Sequence, residues 1–72
     1  MFTDWLSEQR DRDDPIGDLA RDMLDDSYWP STCESLSGLL TYLAHRGACE
    51  GAIRALTQAW GRFLEESNHG DP

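Results

Sequence analysis

Apolar residues recur along this chain at helical spacing and nowhere in strict alternation. Ile16, Leu19, Ala20, Met23 and Leu24 stand at offsets 0, 3, 4, 7 and 8, which lays one apolar stripe on a helix. Asp14-Pro15 opens that helix. The carboxylate suits the N-cap, and proline suits the first helical position because its φ is preset and no N–H is needed there. Leu36, Leu39, Leu40 and Leu43 repeat the pattern at offsets 0, 3, 4 and 7. Ser31 and Glu34 ahead of them have capping-box spacing, which places Cys33 in the first turn, and Gly47 after Arg46 supplies a left-handed stop. A longer helix is predicted from about Ala48 or Glu50 to Glu66, with Ala52, Ile53, Leu56, Trp60, Phe63 and Leu64 inward. Ala55 and Ala59 allow close helix contact there, whereas Gly61 costs about 1 kcal/mol relative to Ala. A short first segment, Thr3 to about Arg10 with Thr3 as N-cap, brings Phe2, Trp5 and Leu6. Trp5 and Trp60 read as core residues.

Strands are disfavoured, because the chain has no Val, two Ile and four Thr. The expected fold is all-α, a compact four-helix orthogonal bundle over residues 1–66 as one domain, followed by a flexible tail at 67–72. Leu, Ile and Phe total only 13 of 72 residues, so the core is thin; three Trp, two Tyr and two Met enlarge it. No apolar run approaches the ~20 residues of a membrane span, and no charged-then-apolar start resembles a signal peptide. Cys33 and Cys49 lack C-x-x-C spacing and read as reduced cytoplasmic thiols.

Charge adds the main functional clue. Fourteen acids face six Arg and no Lys, for a net charge of −8, and residues 1–26 alone hold nine acids and three Arg. That balance argues against a nucleic-acid groove binder and against an anionic membrane. It leaves basic proteins, cations or plain solubility, with a GC-rich or halophilic background as a further cause. Asp14, Asp18 and Asp22 recur every fourth residue along one helix face, and Asp25 and Asp26 follow. Asp14 and Asp18 favour the positive end of the helix dipole, whereas Asp25 and Asp26 oppose its negative end. Like charges one turn apart also repel by about 0.2–0.5 kcal/mol a pair. The row is either a surface for a basic partner or cation, or a solvated helix face. Tyr28-Trp29-Pro30 is either an exposed aromatic anchor or a plug borrowed from a loop.

Other chemistry finds little support. A calcium loop starting at Asp11 would continue through Asp13 but then meets Pro15 and Ile16 where a ligand and a glycine are required. A zinc site would have only Cys33, His45, Cys49 and His69 to draw on. His45 has no Ser or Asp partner at catalytic spacing; its place near a helix C-terminus explains it. No catalytic residue, cofactor, metal or small-molecule substrate is expected.

Several segments resemble a known family. Phe2-x-x-Trp5-Leu6, Asp14-Pro15-Ile16-Gly17-Asp18-Leu19-Ala20, Asp25 through Trp29-Pro30, Tyr42-Leu43 and Ala59-Trp60 with Phe63 are similar to the YozE-like small bacterial proteins. The resemblance covers about residues 2–66, and the Gly-rich link Arg46 to Gly51 departs from it. It implies a fold like the sterile alpha motif (SAM) and carries no catalytic motif. SAM-like folds serve protein contacts, self-association and, in some cases, nucleic-acid binding. The expected function is a non-catalytic interaction module. Its surface would be Asp14, Asp18, Asp22, Asp25 and Asp26 with Tyr28 and Trp29, set against a basic protein. In self-association Arg46, Arg54 and Arg62 would supply the basic side, Arg54 and Arg62 sharing a helix face. One alternative is an acidic nucleic-acid mimic, of phage or mobile-element type, that occupies a basic protein surface; carboxylates one turn apart lie about 6 Å from each other, near the phosphate spacing of one strand. A second is a weak nucleic-acid binder using its scattered Arg.

Overall fold

Each apolar stripe becomes one helix. The computed structural model describes residues 1–68 and contains α1 (Phe2–Ser7), α2 (Pro15–Asp25), α3 (Leu36–His45) and α4 (Glu50–Asn68). No strand occurs among the described residues. Ser67 and Asn68 are helical; the rest of the expected tail, His69 included, lies outside the described residues.

Local chemistry sets the boundaries. Asp14 caps α2 by accepting the Gly17 N–H at 3.0 Å, with Pro15 at the first helical position. At the far end of α3, Gly47 takes φ +71°. Its N–H bonds the Ala44 carbonyl at 3.1 Å, and Ala48 N–H bonds that of Leu43 at 3.0 Å, closing a Schellman motif.

Two predicted starts are corrected. The Ser31–Glu34 capping box does not open α3. Ser35 is the cap instead, its Oγ accepting the Gly38 N–H at 2.9 Å, while Cys33 N–H closes a turn onto the Pro30 carbonyl at 3.0 Å. Residues 31–35 offer only Cys33 as an apolar face, so extending the helix backward would bury almost nothing. Cys33 therefore lies before the helix, not in its first turn. Thr3 is likewise not a cap, since α1 begins one residue earlier at Phe2 and ends at Ser7. The Thr3 hydroxyl accepts the Trp29 indole N–H at 3.0 Å.

The four large side chains buried completely are Phe2, Leu6, Leu39 and Leu56, surrounded by Ile16, Leu19, Ala20, Met23, Leu43, Ala55 and Ala59. Leu24 and Leu64 depart from their stripes and are 51% and 46% exposed. Each stands eight residues past a core residue, Ile16 or Leu56, a rotation of about 80° that carries it beyond the core edge. Phe2 lies among Trp5, Trp60 and Phe63, with ring centroids at 5.9, 4.8 and 5.4 Å. α4 packs on all three other helices, whereas α2 and α3 make no close backbone approach to each other. The molecule is a spine, α4, with three shorter helices laid on it.

Two glycines give a paired test. A Cβ on buried Gly17 would lie 2.0 Å from the Arg12 carbonyl oxygen, so the α1–α2 link runs directly against α2. A Cβ on Gly61, exposed in α4, would meet nothing within 4 Å. In urea unfolding, Gly61→Ala raises stability by about 1 kcal/mol, and Gly17→Ala lowers it by about 1–3 kcal/mol through overpacking. The same sign for both would contradict this packing.

Candidate functional site

The two ends of α2 consume two of the five predicted surface acids. Arg12 grips Asp14 with Nε at 3.2 and 2.9 Å from the two carboxylate oxygens and Nη2 at 2.6 Å. This hydrogen-bonded guanidinium, helped by the Gly17 N–H, holds the Asp14 carboxyl down at about 2. The Arg12 guanidinium is raised in return, chiefly by the same hydrogen bonds. At the other end, Asp26 is the C-cap in extended conformation. Its Oδ1 accepts the Tyr28 N–H at 2.9 Å and pairs with Arg46 Nη1 at 3.3 Å, and its Oδ2 accepts the Tyr42 hydroxyl. The Tyr42 hydrogen bond first, then Tyr28 and Arg46, hold the Asp26 carboxyl below its ordinary range despite burial. Burial, then the Asp26 hydrogen bond, pushes the Tyr42 hydroxyl up. Arg46 also lies over the Tyr28 and Tyr42 rings, 5.8 and 5.6 Å from their centroids.

The predicted row is thereby corrected to Asp18, Asp22 and Asp25, all exposed. Asp18 pairs with Arg21, which also donates to the Arg10 and Arg12 carbonyls. Asp22 and Asp25 make no ion pair with any described residue. Asp26 does not simply oppose the helix dipole as its sequence position suggests, because three partners satisfy its carboxylate. The aromatic link divides. Tyr28 is 77% exposed, but Trp29 is only 9% exposed and packs edge-on to Tyr42 at 5.8 Å, so it is a plug and presents no exposed anchor. On the basic side Arg46 is committed to Asp26. Arg54 pairs with Glu50 at 2.8 Å on the exposed face of α4, and Arg62 makes no ion pair with a described residue.

Sequence reasoning missed a groove along the α2–α4 seam. One hollow of about 540 Å³ has Pro15, Asp18 and Asp22 on its α2 bank and Gly51, Arg54 and Gln58 on its α4 bank, over a floor that includes Leu19 and Ala55. Pro15 and Gln58 also border a second hollow of about 390 Å³, which reaches Arg12, Asp14, Gly61 and Arg62. The signal for the groove was the set of small residues Gly51, Ala52 and Ala55, which leaves the α4 bank low. Cys49 is exposed at its rim, and Cys33 is half-buried. Arg54 and Arg62 lie on this same side of α4, one at each hollow. Among the described residues no three His, Cys, Asp or Glu side chains are placed to hold a metal ion, and no helix is long and apolar enough to cross a membrane.

A short entry helix, a capped acidic helix, an aromatic-Pro link, a leucine-rich third helix and a long final helix define a small SAM-like bundle. The family model described as YozE SAM-like fold matches residues 2–65, and the chain belongs to that family. No curated protein and no solved structure matches it.

The capping geometry makes stability sensitive to acid. Asp14, depressed to about 2 in the folded protein, titrates near the ordinary ~3.9 when unfolded. The stabilisation by its ionised form is therefore complete above about pH 4 and is lost as pH falls toward 2. Asp26 acts in the same direction. Circular-dichroism melts should show Tm constant from pH 7 to about 5 and falling steeply below pH 4. Asp14→Asn keeps a cap but loses the Arg12 pair, so Tm drops at pH 7 and the fall below pH 4 is shallower. An unchanged acid profile in that variant would contradict the assignment.

Proposed function

We propose that this protein is a small interaction module, without catalytic chemistry of its own, that presents the exposed carboxylates of α2 to a partner with a basic surface. The observation that carries this reading is the division of the acids. Those at the ends of α2 are engaged in holding the fold, while Asp18, Asp22 and Asp25 face solvent and only Asp18 has a cation beside it. The groups held away from their ordinary values, Arg12, Asp14, Asp26 and Tyr42, bond one another at those helix ends, which is structural work. Three carboxylates in place of five make only a short imitation of a phosphate strand, which favours an ordinary protein-contact surface over nucleic-acid mimicry. The reading places the module in the cytoplasm of a bacterium, where thiols such as Cys33 and Cys49 stay reduced.

Affinity capture from a bacterial lysate, washed through rising salt, tests this. A partner bound through these carboxylates is retained at about 0.15 M salt and released as screening shortens the reach of surface charge. It is lost from the triple variant Asp18→Asn, Asp22→Asn, Asp25→Asn, whose exposed sites leave the helical circular-dichroism signal unchanged. Capture of the same proteins by wild type and triple variant would remove the proposal.

A further inference from the structure

A third hollow, of about 220 Å³, adjoins the 540 Å³ hollow of the α2–α4 groove toward the end of α2. Leu19, Asp22 and Ala52 border both, so they form the divide within one longer trough. Beyond the divide, Met23, Trp29, Tyr42 and Leu43 supply apolar and aromatic walls. The charged residues along the trough are Asp18, Asp22, Asp26, Arg46 and Arg54. Asp18 is paired with Arg21, Asp26 with Arg46, and Arg54 with Glu50. Of these five, only Asp22 makes no ion pair with a described residue, and it stands at the divide. The trough therefore carries one uncompensated charge, negative and central, with apolar surface on either side.

We propose, on the reading of α2 as a recognition surface, that the trough takes a short extended segment of a partner protein. One arginine or lysine of that segment is flanked, two positions away on each side, by an apolar residue. Charge complementarity sets the cation at Asp22. In an extended chain, residues i, i+2 and i+4 point to one side about 6.6 Å apart, so the outer two side chains enter one hollow each. Five such residues reach about 16 Å, the run of α2 from Pro15 to Asp26 at about 1.5 Å per residue. A segment with several cations gains less, because its further charges meet carboxylates already neutralised by Arg21 and Arg46, and meet Arg46 and Arg54 themselves. An acidic segment is opposed by Asp22 and by the net charge of −8. A bare amine leaves both hollows unfilled.

Titration of isotope-labelled protein with capped pentapeptides, followed by amide chemical shifts, reads the outcome. The first peptide has leucine at both ends, arginine in the middle and serine between. It binds with a Kd of about 1 mM or tighter and shifts the amides of Leu19, Asp22 and Ala52 together with those lining both hollows. Glutamate in place of the arginine, or serine in place of both leucines, weakens binding by about fivefold or more. Asp22→Asn weakens the first peptide by about fivefold, the scale of one exposed ion pair. Asp25→Asn leaves it unchanged, because Asp25 borders neither hollow. Both positions are exposed, and the amide spectra of the free variants verify their folding. No saturable binding up to about 10 mM, equal binding of the glutamate peptide, or an affinity indifferent to Asp22→Asn would overturn the proposal. None of these results alters lysate capture by the wild type or its loss from the triple variant, so failure of the trough is read separately from failure of the α2 surface.

Discussion

The contact between Phe2 and Trp60, with ring centroids 4.8 Å apart, closes the start of the chain against its last helix and sets the position of everything between. α1 has six residues, far below the ~12–15 at which an isolated helix becomes even marginal in water. It is helical because Phe2 and Leu6, one turn apart, are both completely buried. Trp5, beside them, donates its indole N–H to Glu66 at 2.8 Å and closes the same seam from the solvent side. The placement of α1 then fixes the link between α2 and α3, because Thr3 receives the Trp29 indole. In a domain with four completely buried large side chains, one aromatic contact thus orders two helices and a loop.

What is legible in the sequence is whatever is decided within one turn of helix. Asp14-Pro15 and Gly47 each meet their partners within five residues, so their roles follow from local chemistry alone. Ser31-x-x-Glu34 shows the limit of that logic. A capping box offers two hydrogen bonds, but a helix is held in place by the apolar face it buries, and that face starts only at Leu36. Thr3 and Trp29 escape it for a different reason. They lie 26 residues apart in the chain, and nothing local announces that a hydroxyl will meet an indole. The groove is hidden in the same way, because it belongs to two helices separated in sequence.

Asp26 shows how far position alone misleads about charge. At the negative end of a helix dipole a carboxylate is unfavourable, and its proximity to Asp22 and Asp25 suggests a single acidic strip. Tyr42 and Arg46, 16 and 20 residues onward, turn it into the tie between the end of α2 and α3. Asp14 has the matching job at the other end. The acids that the fold requires are therefore the outer two of the row. Asp18 suits the first turn of α2 and pairs with Arg21. Stability offers no such reason for Asp22 and Asp25, which lie in solvent without an ion pair among the described residues and repel each other along the helix. A role for the acidity has to be sought at Asp22 and Asp25.

Their setting also constrains how such a role could work. With both ends of α2 tied by hydrogen-bonded ion pairs, the carboxylates between them ride on a fixed backbone at a fixed spacing. Gly17, its Cα in close contact with the Arg12 backbone, locks the first turn further. The groove bank on α2 cannot swing toward α4, because Leu19 and Ala55 are already buried in the shared core. An occupant must fit a preset width and charge pattern, with little ordering of the protein to offset on binding. Recognition by a rigid complement follows from that.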